Sequence, residues 1–384
     1  MSAPTGTVAT GTTPDSIPPV TLTTPSLIRQ ASLGAPPGAI DLTLGVPGWP
    51  LPEPARRALT ALAQTPQPLP YGPNEGIPEL VDAVAGHHDV TPGSVLVTVG
   101  SQGALFALFH AYLRPGQRVL VPDPGFPAYE TLARLRGAEA VRYRLAADGA
   151  LDPDAFETAL RRAPAALAVL NHPGNPTGGG ATPEALAAVA RACRRAGVLL
   201  VSDEVYRDLH LGPRPAGLHD VTGDGVVVSS VSKAWAAPGL RVGWAVGNPH
   251  LLAPARAVHA AMTTAPALPA QLAAAALLRA SAEVLAESRR ELARRWAVVQ
   301  TAPAPVRATA TPAGGLYHWL PLPAGVTDPL AFCRRLRDLG LVTVVPGEAF
   351  GPGGRGHVRL SCGGDPGLLA EALDRLAGWW REWA

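Results

Sequence analysis

The chain has 384 residues, a formal net charge of +2, 47% hydrophobic and 16% charged residues, and three cysteines. That length supports an extensive core in two domains, or in one large domain with a smaller companion, and the near-neutral charge without long like-charge runs sets aside nucleic acid and membrane surfaces as main partners. Cys193, Cys333 and Cys362 are odd in number and far apart, which fits neither a disulfide framework nor a paired metal motif and suits a reducing, cytoplasmic setting.

Residues 1–25 are rich in Thr, Pro and Ala, with no basic start and no continuous apolar stretch. They read as a flexible arm and not as a secretory signal. From 95 to 246 short Val- and Leu-rich runs alternate with helix-length amphipathic segments. Strands are expected at 95–99, 119–122, 166–170, 198–202 and 226–230, with helices at 104–113, 129–135 and 183–196 between them. Apolar runs separated in this way predict parallel strands buried on both faces and joined by crossover helices. The Ala-rich stretch 271–278 is too short to span a membrane and reads as a packed helix. A long polar helix at 282–300 leads to a section of different character, with strands at 316–322, 342–345 and 357–360 alternating with two helices. The fold class is therefore α/β, a mostly parallel large-sheet domain (49–284) with a smaller α+β domain built from 26–48 and 285–384.

In such sheets ligands bind beyond the carboxyl ends of the strands. Polar residues gather there: Gly100-Ser101-Gln102, Asn171 to Asn175, Asp203 with Tyr206, and Ser230 with Lys233. Of thirty-two basic residues, Lys233 is the only lysine. Arginine stays protonated, whereas a desolvated lysine amine attacks carbonyls to form a Schiff base. A phosphorylated aldehyde cofactor that binds lysine, and places an acidic residue on its ring nitrogen, is pyridoxal 5'-phosphate.

Four motifs in order, Asn175-Pro176-Thr177-Gly178, Asp203-Glu204-Val205-Tyr206, Ser230-Val231-Ser232-Lys233 with Arg241-Val242-Gly243, and Arg359-Leu360-Ser361, resemble the signatures of the class I/II aminotransferases of fold type I. The resemblance runs from about residue 41 to the C-terminus. It implies that Lys233 carries the cofactor and moves a proton, that Asp203 pairs with the pyridine nitrogen, and that Tyr206 and Asn175 bond the phenolic oxygen. It implies a phosphate site from the helix start at Ser101 and Gln102 together with Ser230 and Arg241, a ring stack from Phe126, and a substrate carboxylate clamp from Arg359 beside Gly45 and Asn175. Tyr71 resembles a tyrosine lent to the neighbouring subunit's phosphate, which implies a homodimer. The implied substrates are an L-amino acid and a 2-oxo acid. Gln102 stands where an aspartate-specific subgroup has lysine, and Trp49 near the hinge hints at a neutral or aromatic side chain.

The same cofactor residues serve C-S β-lyases, since pocket geometry selects which bond breaks. A regulatory protein with this kind of domain is disfavoured because only about forty Thr/Pro-rich residues precede the first motif. The glycine run 351–356 matches a dinucleotide fingerprint literally but leads into a strand instead of a helix, so it reads as a mobile loop near the site. His87-His88-Asp89 lacks metal-like spacing and reads as a solvated helix end. Trp379, Trp380 and Trp383 read as packing of the last helix.

Overall fold

The computed structural model describes residues 26–66 and 68–383; the arm expected at 1–25 lies outside them. After a two-residue strand, β1 (Ile40–Asp41), the apolar runs form β2 (Val95–Val99), β3 (Arg118–Asp123), β4 (Glu139–Arg144), β5 (Leu167–Asn171), β6 (Leu199–Asp203), β7 (Val226–Ser230) and β8 (Val242–Gly247). These seven make one sheet in the order β2-β8-β7-β6-β5-β3-β4. Successive residues of a strand point to opposite faces, and both faces are covered. Leu200 and Val227 enter one apolar core, while Leu199, Val201, Val226 and Val228 enter another.

All five strands expected here are present, and the sheet departs from the expectation at two strands. β8 runs antiparallel to both β7 and β2. Residues 231–241 hold only a short turn at Pro238–Leu240, without the helix that a parallel crossover requires, so the chain returns beside β7 in the opposite sense. β4 pairs only with β3, at the sheet edge. Its sequence Glu-Ala-Val-Arg-Tyr-Arg is half exposed and carries no apolar run to announce it.

Local signals fix the helices well. The helix expected at 183–196 is Pro183–Ala196. Thr182 Oγ1 accepts the Ala185 N–H at 3.2 Å, and Gly197 closes the helix in the left-handed region at φ 66°. An N-cap of this type is worth about 1 kcal/mol. The Ala-rich stretch lies in a buried helix, Leu268–Arg279, and no single described helix is long and apolar enough to cross a membrane.

The helix Ser281–Thr301 leads to β9 (Tyr317–Pro321), β10 (Val342–Thr343), β11 (Val345–Pro346) and β12 (His357–Ser361). The single strand expected at 342–345 is split between two sheets. β10 pairs in parallel with β1, whereas β11 pairs antiparallel with β12, which also pairs with β9. The β1–β10 pairing draws the N-terminal segment into the C-terminal section, and Leu42 shares a core with Val342, Leu360 and Trp380. Phe332 meets Trp379, Trp380 and Trp383 edge-on, so these three indoles pack the last helix as expected. The glycine run 351–356 does lead into β12. It is anchored and not loose: the Gly353 N–H donates to Asp123 Oδ1 at 2.8 Å.

His87 and His88 correct the sequence reading, because this helix end turns inward. His87 Nε2 lies 3.0 Å from Asp208 Oδ2, and Trp244 Nε1 donates to His88 Nε2 at 2.9 Å. The rings of His87 and Trp235 meet edge-on at 5.2 Å. Burial, reinforced by His87, depresses the His88 pKa from 6.5 to about 3, and burial depresses that of His172 to about 4. Both are neutral when folded and titrate near 6.5 when unfolded. The unfolded chain therefore binds more protons below about pH 6.5, and stability falls as the pH drops from there towards 3. Replacing His88 with Gln should remove part of this slope. Between pH 7.5 and 5.5 the wild type should lose about 1 kcal/mol more than His88→Gln, read from denaturant midpoints at the two pH values; equal losses would show that His88 is not held neutral.

Candidate active site

The carboxyl ends of β2, β3, β5, β6 and β7 lie on one edge of the sheet, and the reversed β8 brings its amino end back to that edge. Its register sets Gly243 against Ser230 and Val242 against Val99, so Arg241 arrives beside the start of the helix Gly100–Tyr112. Gly243 makes this approach possible, since a Cβ there would run into the backbone of Gly100 and Ser101. Over this edge opens a cavity of about 660 Å³.

Gly45, Ser101, Gln102, Phe126, Asn175, Asp203, Tyr206, Ser230, Lys233, Arg241 and Arg359 all line the cavity. Tyr71 does not. It is 91% exposed and borders a separate depression that shares Arg241. Trp49 also lies outside the cavity, which removes it as a guide to substrate. It is buried, its indole N–H reaches Ser288 Oγ at 3.4 Å, and the Arg295 guanidinium covers its ring at 4.9 Å.

One end of the cavity carries positive potential. The helix Gly100–Tyr112 has no side-chain cap, so its first N–H groups lack partners within the helix and present a partial positive charge. Gly100 has φ 66°, and a Cβ there would press on Arg241 Nη2. The buried hydroxyl of Ser230 accepts the Ser232 N–H at 3.3 Å and keeps its own proton for a further acceptor.

The floor is formed by Asp203, the last residue of β6. Burial raises its pKa from 3.8 to about 6, although a hydrogen bond from Tyr129 opposes the shift. Tyr129 Oη donates to Asp203 Oδ2 at 2.8 Å, while Oδ1 has only a long contact of 3.4 Å from the Val205 N–H. One carboxylate oxygen is thus pinned and the other is available to a cationic N–H. Phe126 packs edge-on against Tyr129 at 5.7 Å. Lys233 Nζ donates to the Gly45 carbonyl at 2.6 Å and stands 5.7 Å from the centre of the Tyr206 ring.

The far wall holds Arg359, 1% exposed. Its Nη1 donates to Asn175 Oδ1 at 2.8 Å and its Nη2 to the Thr43 carbonyl. Tyr317 and Phe350 cover the guanidinium at 4.3 and 4.9 Å. It makes no ion pair among the described residues, and its buried Nε has no partner. Because Asn175 spends its oxygen on Arg359, its amide N–H₂ is left for another acceptor.

Sequence reasoning missed Tyr129, Tyr317 and Thr43. Tyr129 could have been found, since it sits one helical turn beyond Phe126; Tyr317 and Thr43 reach the site from distant segments and carry no local signal.

The donor set fits pyridoxal phosphate on these observations: an uncapped helix start with Arg241 and Ser230 for a phosphate, a desolvated carboxylate for a ring N–H, a lysine amine, and an unpaired buried arginine for a carboxylate.

Comparison with known proteins agrees. Residues 38–376 match the family model "Aminotransferase class I and II". The chain is 32% identical over 363 residues to valine–pyruvate aminotransferase of Mycobacterium tuberculosis, covering 88% of this chain and 90% of that one. To aspartate/prephenate aminotransferase of Thermus thermophilus it is 34% identical over 359 residues, with the same coverage. Among solved structures, aspartate aminotransferase from Thermus thermophilus with maleate superposes with a TM-score of 0.83 at 31% identity, over 93% of this chain and 97% of that one. The chain belongs to the class I and II aminotransferases, pyridoxal-phosphate-dependent transaminases with the fold-type I architecture.

Proposed function

We propose that this aminotransferase acts on L-amino acids with neutral or aromatic side chains, with the cavity residues in the roles that follow. The observation that carries the reading is the meeting, in one cavity, of the only lysine with a desolvated carboxylate and an arginine that has no carboxylate partner among the described residues. Pyridoxal phosphate, when bound, supplies the electron sink that stabilises negative charge on the substrate α-carbon. Lys233 anchors the cofactor through Nζ and then carries a proton at that nitrogen. Asp203, oriented by Tyr129, keeps the ring nitrogen protonated. Tyr206 and the Asn175 amide donate to the phenolic oxygen, and Phe126 covers the ring. Ser101, Gln102, Ser230 and Arg241 hold the phosphate, and Arg359 clamps the substrate carboxylate with the Gly45 backbone beside it.

The side-chain preference is supported by Ile28, Leu44 and Val46 in the cavity wall and by the uncharged Gln102. Exposed Arg29 lines the same cavity and makes no ion pair among the described residues, which favours a second reading: a dicarboxylate as one of the two substrates. Tyr71 and Leu69, 91% and 58% exposed, support a homodimer in which Tyr71 serves the neighbouring subunit's phosphate. The shared core of Leu42 and the C-terminal section supports a small domain of 26–48 with 285–384, against a large domain of 49–284. A cytoplasmic location goes with the buried, unpaired Cys193, Cys333 and Cys362.

Lys233→Ala should fold like the wild type by circular dichroism and lose turnover by at least about a thousandfold, since no other lysine can replace the amine; retained turnover would overturn the assignment. The side-chain preference is tested by titrating the cofactor-loaded protein with single L-amino acids, without a 2-oxo acid, and following the visible spectrum. Neutral or aromatic donors should convert the pyridoxal band stably to the pyridoxamine band at lower concentration than aspartate or glutamate. Conversion by the acidic donors alone would establish the dicarboxylate reading, and Arg29→Ala should then weaken those donors selectively.

A further inference from the structure

The Tyr206 hydroxyl already has a partner inside the protein. Tyr317 Oη lies 2.7 Å away, and both phenols are buried. The two come from different parts of the fold, Tyr206 from the turn after β6 and Tyr317 from the start of β9. Among the described residues, each hydroxyl is the other's only hydrogen-bond partner.

Tyr317 reaches this position because residue 45 is glycine. A Cβ on Gly45 would clash with the Tyr317 phenol oxygen and ring, and the Gly45 carbonyl is the group that accepts Lys233 Nζ. On its other side the Tyr317 ring carries the Arg359 guanidinium at 4.3 Å. One residue thus touches the hydroxyl read as the donor to the cofactor, the backbone segment that receives the lysine, and the arginine read as the carboxylate clamp.

A phenol has one proton. If the two hydroxyls bond with Tyr206 as donor, that proton is spent on Tyr317 and cannot serve the cofactor. If Tyr317 donates, the Tyr206 oxygen is an acceptor and its proton is free to point into the cavity. A hydrogen bond received also makes a hydroxyl a better donor, because chained hydrogen bonds polarise one another. We propose that Tyr317 is a positioning residue with two parts: its hydroxyl donates to Tyr206 and so commits the Tyr206 proton to the phenolic oxygen of the cofactor, while its ring holds Arg359 flat for the substrate carboxylate. The inference rests on the role of Tyr206 stated under the proposed function.

Donation to the phenolic oxygen stabilises its anionic form and lowers the pH at which the neighbouring imine nitrogen gives up its proton. Weakening that donation raises the pH. The test is the midpoint of the pH-dependent change in visible absorption of the cofactor-loaded protein, with KM for an accepted amino acid measured alongside. Tyr206→Phe should raise the midpoint. Tyr317→Phe should raise it less, by about half to one pH unit, the roughly three- to tenfold factor of one net hydrogen bond. The double variant should add little to Tyr206→Phe. Because Phe keeps the ring over Arg359, Tyr317→Phe should leave KM within about twofold, whereas Tyr317→Leu, which removes the ring, should raise it about tenfold, within the range of one desolvated cation–π contact. A wild-type midpoint in Tyr317→Phe beside a shifted one in Tyr206→Phe overturns this inference alone. An unshifted midpoint in Tyr206→Phe overturns the reading of Tyr206 and this inference with it. Should Tyr317→Leu not fold, the Phe variant still decides.

Discussion

A guanidinium buried without an ion pair among the described residues is the constraint around which this cavity is arranged. Removing a charge from water costs several kcal/mol unless hydrogen bonds and opposite charge compensate. Arg359 receives an amide oxygen from Asn175, a carbonyl from Thr43 and the faces of Tyr317 and Phe350. All of these are neutral. The protein therefore satisfies part of the guanidinium's geometry and leaves its charge without a counterion among the described residues. The four contacts come from three regions, Thr43 from the N-terminal segment, Asn175 from the sheet edge, and Tyr317 and Phe350 from the C-terminal section, so the cost of burying the arginine can be met only when all three are assembled together.

The opposite end of the cavity solves a related problem with backbone. There the positive potential comes from an uncapped helix start, and Arg241 is added by the strand that runs the wrong way. A parallel β8 would have carried Arg241 to the amino edge of the sheet, away from the helix. Reversal brings it back, and the missing side chains of Gly100 and Gly243 let strand and helix close on each other. The topological exception in the sheet and the meeting of Arg241 with the helix start are one feature.

Much of this could be read from sequence because the signals are local. Thr182, Pro183 and Gly197 delimit a helix by capping chemistry, and continuous Val and Leu runs mark strands buried on both faces. Polar residues at strand ends converge because parallel strands share an edge. Where contacts are made at long range, the reading failed. β4 is hidden because an edge strand needs no apolar run. β8 is absent from the expected strands, and its hydrophobic pattern carries no direction because it is the same either way up. His87 and His88 read as solvated because two imidazoles at a helix end usually are; here Asp208 and the Trp244 indole draw them inward. Trp49 suggested a substrate contact by its place in the chain, yet Arg295 and Ser288 claim it.

The composition of the chain takes on a physical meaning at this site. Thirty-one of its thirty-two basic residues are arginine, and arginine makes the surface pairs, stacks on Trp49 and stands at both ends of the cavity as Arg241 and Arg359. Each of these needs a permanent charge or a planar donor array, and guanidinium provides both. An aldehyde cofactor demands something different, a nitrogen that can lose its proton, form a covalent bond and release it again. Among side chains with a basic nitrogen, lysine supplies a primary amine for that purpose, and this chain keeps one just beyond β7, in the cavity that Asp203 also lines. The division of labour between the two basic residue types follows the difference between holding charge and exchanging a proton.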